Sequence, residues 1–167
     1  MNGIVCTTLC LMVLTVKFAD AQTGETITPK RGYGYALFTP GATVGDGEAA
    51  ATMTIGAGGE GLIKDGFGVG GDVSYLFYPE GGFGRGFGLL SPGVFYQFKP
   101  ARKTVPFVTG GYSLAFRDGA INLVHYGGGI NHWFNNRWGM RFEVRDHIQP
   151  QSAEYHLLQF RIALLFH

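Results

Sequence analysis

The sequence predicts an all-β fold: eight antiparallel strands in up-and-down order, closed into a barrel that crosses a membrane. Three observations predict it. Stretches with a two-residue alternation recur along the chain, separated by clusters of turn residues. Outside the N-terminal segment there is no sustained helical period and no apolar run of about 18 residues, so no membrane helix is expected. The second phase of the alternation holds small residues and a few bulky ones, a poor coat against water. Charged residues make up 15% of the chain, below the roughly 25% of an ordinary soluble domain. The 167 residues suffice for one domain, and a net charge of +1 gives no case for a nucleic-acid partner or an acidic substrate.

The elements follow in order. Residues 4–16 form an apolar run followed by Ala19-Asp20-Ala21, an A-x-A cleavage pattern, so residues 1–21 are expected to be a secretory signal peptide and 22–167 the mature barrel domain. Lys17 follows the apolar core rather than preceding it. A short core helix would need a helical partner, and nothing after Ala21 offers one. Both cysteines, Cys6 and Cys10, fall in this segment, which leaves the mature chain without a disulfide or a cysteine metal site. The alternating stretches place strands at 32–40, 51–63, 67–78, 87–98, 104–116, 121–134, 138–148 and 154–166. Lys64-Asp65-Gly66, residues 99–103 and Asn135-Asn136-Arg137 are tight, polar turns. They alternate with connections at 41–50, 79–86, 117–120 and 149–153, two of them longer. Strands of about 11 residues rise roughly 36 Å, and a tilt near 45° reduces that to about 25 Å, the height of a bilayer's apolar band.

Alternation alone does not say which face looks inward. A soluble barrel would need charged and long polar residues on its outside. The second phase instead reads Gly68, Gly70, Asp72, Ser74 in the third strand, Leu89, Ser91, Gly93, Phe95, Gln97 in the fourth, and Leu123, His125, Gly127, Gly129, Asn131, Trp133 in the sixth. That mixture suits a narrow interior. The apolar phase runs Val69, Val73, Tyr75, Phe77, then Leu90, Val94, Tyr96, Phe98, then Val108, Tyr112, Leu114, Phe116, then Trp138, Met140, Phe142, Val144, with aromatics toward the strand ends. Asp146 and His132 share this phase near strand ends, where a charge costs little. Hydrocarbon offers no hydrogen-bond partner, so the first strand must close on the eighth.

The interior phase also carries charges. Glu60, Asp72, Arg141, Glu143, Arg145 and Arg161 fall on it, with Gln159. Charges removed from water must pair, so a lumenal ion-pair network of these six is expected, with a structural role. Replacing Glu143 by Ala should strand a guanidinium, and unchanged urea resistance would count against the network. Gly56 to Gly61 matches G-x-G-x-x-G by letter, but no helix follows to hold a phosphate, so no nucleotide cofactor is expected. His125, His132, His147, His156 and His167 are scattered without metal-site spacing, so no metal is expected either.

The last strand carries the strongest signature. Leu158, Phe160, Ile162, Leu164 and Phe166 are all apolar, against Leu157, Gln159, Arg161, Ala163 and Leu165 in the other phase, with His167 after the final aromatic. This resembles the C-terminal strand of bacterial outer-membrane β-barrels. Together with Gly127 to Phe134, the tight turn and Trp138 to Asp146, it makes residues 33–166 resemble the small eight-stranded family of the outer-membrane protein A transmembrane-domain type. The resemblance implies an integral, non-enzymatic outer-membrane protein of a bacterium with two membranes. It would work in envelope structure or in surface contacts. Its implied partners are outer-membrane lipids, including lipopolysaccharide, and the barrel assembly machinery, which reads the last strand. Gly81-Gly82-Phe83-Gly84-Arg85-Gly86 is the outside feature suited to touch lipopolysaccharide or a partner, and a plain flexible loop is the simpler reading.

Two alternatives stand beside this. Lipid A deacylases share the barrel and place a Ser two residues after a strand-seven His. Here His147 is followed by Ile148 and Gln149, with Ser152 beyond. The other alternative is a soluble periplasmic, lipocalin-like barrel that binds an apolar ligand, with Phe160, Ile162 and Leu164 turned to its cavity.

Overall fold

The computed structural model describes residues 31–45 and 48–167, apart from the side chains of Arg85, Ser152, Ala153 and Glu154. The expected signal peptide, with Cys6 and Cys10, lies outside the described residues. The strands are β1 (Gly32–Gly45), β2 (Glu48–Lys64), β3 (Phe67–Tyr78), β4 (Gly82–Gln97), β5 (Thr104–Phe116), β6 (Ala120–Trp133), β7 (Trp138–Gln149) and β8 (Ser152–Phe166). Each pairs antiparallel with the next, and β8 returns to β1 from Gly34↔Phe166 to Val44↔His156, so the barrel is closed. Closure leaves no row of unpaired edge amides.

The turns explain the register. Asp65 and Gly66 both have positive φ, 49° and 88°, the mirror-image two-residue turn that matches strand twist. A Cβ at Gly66 would run into the Gln97 carbonyl. The opposite connections differ from expectation. Residues 41–50 were expected as a loop, but the β1–β2 ladder continues through them to Gly45↔Glu48. Alternation fades there because both strands have passed the apolar belt. Residues 82–86 likewise belong to β4, and the turn before them is a single 3-10 turn at Pro79–Gly81. Prolines are absorbed at ladder gaps. Pro40 pairs with Met53 of β2, but neither it nor Thr39 has a partner in the β8 register, and Ser91-Pro92 interrupts β4–β5 the same way. A missing N–H is tolerated where the ladder already pauses.

The two phases face as the composition demands. Phe160, Ile162 and Leu164 are 54%, 40% and 46% exposed on the outer wall, while Gln159, Arg161, Ala163 and Leu165 are buried inside. The convergence of those three residues on a central cavity, which the lipocalin-like reading requires, is absent. Inside, two apolar layers close the barrel. One near the turn end contains Tyr33, Tyr35, Leu37, Val105, Trp133, Ala163 and Leu165. The other, near the loop end, contains Leu76, Leu89, Ala115 and Leu157, with Tyr78, Phe87 and Leu123 against it. On β8 they bracket Arg161 and Gln159, so the charged layer lies between them.

Candidate functional site: a charged layer inside the barrel

The charged layer begins on β7. Arg141, Glu143 and Arg145 alternate with outward Phe142 and Val144, so strand pleat alone sends all three inward. Glu60 of β2, Asp72 of β3 and Arg161 of β8 meet them, and a barrel of eight strands is just narrow enough for side chains to span it.

Arg141 and Glu60 form a two-pronged pair, with Nη1 to Oε1 at 2.6 Å and Nη2 to Oε2 at 2.7 Å. Arg141 Nε donates to Asn131 Oδ1 at 2.8 Å, and Nη2 also donates to the Tyr33 hydroxyl at 2.9 Å. Tyr33 in turn donates to Glu60 and accepts from Gln97 Nε2 at 2.8 Å and from Asn131 Nδ2 at 3.2 Å. The guanidinium lies 4.3 Å from the Phe107 ring centre, a stacking position open to arginine rather than lysine. The other four charges share partners. Asp72 Oδ2 accepts from Arg161 Nη2 at 2.8 Å and Arg145 Nη1 at 3.2 Å. Glu143 Oε1 accepts from Arg145 Nε at 2.6 Å. Its Oε2 has no hydrogen bond and sits 3.8 Å from Arg141 and 3.9 Å from Arg161, which links the two groups.

The six residues picked from the inward phase are therefore brought together, acids matched to arginines in number. Tyr33, Asn131 and Gln97 complete the Arg141 pair and were not picked out. Their signal was only that they share the inward phase, which neutral polar residues do not advertise. The Gly56 to Gly61 stretch runs through the middle of β2, where a Cβ at Gly58 would strike the Tyr35 ring. Its glycines make room for side chains rather than for a phosphate.

The histidines divide between the faces. His125 and His147 face each other across β6 and β7 inside the barrel, ring centres 5.4 Å apart. His132 lies on the outer phase with its Nδ1 2.8 Å from Thr104 Oγ1. His156 lies there too, with its Nδ1 2.8 Å from Asp146 Oδ2, which also accepts from Tyr126. Among the described residues no group of three or more His, Cys, Asp or Glu is placed to hold a metal.

His147 is 2% exposed, with Nε2 3.2 Å from Gln159 Oε1, so it faces the lumen rather than a lipid ester at the rim. The side chain of Ser152 is not among those described. A serine–histidine contact exists elsewhere, between Ser113 Oγ and His125 Nδ1 at 2.8 Å, but Ser113 also donates to Ser91 and all three are buried between the apolar layers. The cavity beside Asp72 and His125 measures about 10 Å³, room for about one water. Ser113 and His125 are 0% and 2% exposed, so this contact lies away from the outer wall.

An eight-stranded antiparallel barrel with a greasy outer wall and an ion-paired, plugged interior is a transmembrane β-barrel. Its shape is that of the small outer-membrane barrels. It is similar to Neisserial surface protein A, with a TM-score of 0.64 and 8% identity over 82% of this chain and 97% of that one. The N-terminal β-barrel domain of Pseudomonas aeruginosa OprF gives 0.54 at 10% identity, covering 81% of this chain and 99% of that one. The attachment invasion locus protein Ail of Yersinia pestis gives 0.55 at 7%, covering 81% and 96%. Identities this low make the likeness one of fold. No family model matches the sequence, and no curated protein matches it.

Proposed function

We propose that this is a non-enzymatic integral outer-membrane protein of a bacterium with two membranes, acting in envelope structure or surface contact. The signal peptide, residues 1–21, would deliver it to the periplasm. The barrel assembly machinery would read Leu158, Phe160, Ile162, Leu164 and Phe166, and lipids including lipopolysaccharide would surround the finished wall. The observation that carries this reading is a closed barrel with an apolar outer wall and a filled interior. Charges inside are used against one another, and apolar layers lie above and below them. Short connections at the loop end, Pro79–Gly81 and residues 117–119 and 150–151, support small contacts rather than a large adhesive surface. The role of Glu60, Asp72, Arg141, Glu143, Arg145 and Arg161 is then to fix strand register and hold the barrel shut.

The test is fractionation. The protein should sediment with outer membrane, need detergent for extraction, and migrate faster on a gel unheated than boiled. In planar bilayers it should give no steady conductance. Recovery in the osmotic-shock fraction would overturn the reading. Release of acyl chains from lipopolysaccharide, lost on changing His147, would replace it with the deacylase.

A further inference from the structure

We propose that the basic ring at the turn end of the barrel binds anionic phospholipid headgroups in the leaflet it faces, an inference that rests on the membrane-spanning fold and not on which membrane holds it. The ring consists of Arg31, Lys64, Lys99, Arg102, Lys103 and Arg137, with Asp65, 3.9 Å from Lys64, the one acidic side chain beside them among the described residues. The other end has the opposite balance. Glu48, Glu80 and Asp118 stand there against Arg117 among the residues whose side chains are described.

The ring is held by backbone. The carbonyls of Arg31, Lys103 and Arg137 accept from the amides of Leu62, Trp133 and His167 at 2.7, 2.8 and 3.0 Å. Lys99 has a φ of 57° and its carbonyl accepts from Arg102 at 3.1 Å, closing the β4–β5 turn. These bonds fix where Arg31, Lys99, Arg102, Lys103 and Arg137 leave the wall. Just inside the ring runs an outward aromatic belt, with Phe67, Tyr96, Phe98, Phe134, Trp138 and Phe166 all 42–51% exposed. Tyr96 and Phe98 pack edge to face, and Trp138 lies against Phe166. Such aromatics sit at headgroup level. The cations one step beyond are therefore at the depth of lipid phosphates, not projecting into water to meet a distant polymer. Basic residues beside an anionic leaflet are attracted within a Debye length of it. The acidic end lacks that attraction, so the affinity is one-sided.

The test uses the mature chain refolded into phosphatidylcholine vesicles carrying a minority of phosphatidylglycerol, with folding verified by heat-shifted migration. The readout is the lipid in contact with the barrel wall, measured by spin-labelled analogues of each headgroup. At low salt, phosphatidylglycerol should be held about three- to tenfold more strongly than phosphatidylcholine. Raising salt to about 1 M, where the Debye length is about 3 Å, should erase the preference. The combined Arg31→Glu, Lys99→Glu and Arg137→Glu variant should also lose it, and Glu80→Lys at the far end should keep it. If the combined variant fails to fold, the salt series on the unaltered chain and the single Arg137→Gln variant still decide. Equal retention of both lipids by the unaltered barrel, or a preference indifferent to salt, would overturn the proposal. So would retention of soluble polyglutamate by barrels in pure phosphatidylcholine when the lipids are not discriminated, which would point to a soluble partner. Failure of the heat shift would instead count against the membrane barrel itself.

Discussion

The two faces of β7 differ by one residue of offset and by everything else. Inward stand Arg141, Glu143 and Arg145, each 4% exposed or less; outward stand Phe142 and Val144, 46% and 47% exposed. The pleat is the same for both. Arginine is tolerated on one side because carboxylates, a tyrosine and an asparagine are waiting there, and excluded from the other because acyl chains supply no acceptor. Partners, rather than residue type, decide where charge can reside in this wall.

Removing a partner should do the most damage. Glu60→Ala leaves Arg141 with no carboxylate nearer than Glu143 Oε2 at 3.8 Å. A loss of about 3–5 kcal/mol is expected, read as a lower urea midpoint of the detergent-held barrel. Adding a charge without a partner comes next. Val144→Arg, mid-strand between Gly128 and Phe160, should cost about 2–4 kcal/mol in vesicles. Glu143→Ala should cost less than Glu60→Ala, about 1.5–3 kcal/mol: contrary to the expectation from sequence it strands no guanidinium, because Asp72 still holds both Arg145 and Arg161 and Glu60 holds Arg141. An equal loss from the two acids would show that the charged layer acts as one unit instead of a tight pair beside a shared cluster. Tyr33→Phe should be the mildest, about 1–3 kcal/mol in the same titration, because it removes the hydroxyl that donates to Glu60 and accepts from Arg141, Gln97 and Asn131.

Much of this could be read from residue order because membrane strands obey one simple rule. Counting in twos from Phe166 gives the outer wall of β8, and the same count on β7 gives Arg141, Glu143 and Arg145. What the count missed has physical reasons. Residues 41–45 carry little alternation because strand beyond the apolar belt has water on its outer face, so hydrogen bonding continues where patterning stops; residues 83–86 lie in the register break of β3–β4 between Leu76↔Phe87 and Tyr78↔Gly82. Tyr33 and Gln97 look like ordinary barrel filling, and only the closure of β1 on β8 brings Tyr33 to Arg141. Pairing among charges depends on shear across the whole cylinder, which no single strand encodes.

The most direct check is a spin-label scan of β8. The expected mature chain has no thiol, so a single cysteine can be placed at each position from Leu158 to Phe166 in turn. In vesicles, labels at 160, 162 and 164 should collide freely with oxygen dissolved in the bilayer, and labels at 159, 163 and 165 should be shielded from it, a two-residue oscillation. Shielding at 160, 162 and 164 with free collision at 163 and 165, or no oscillation, would mean the wall is turned the other way.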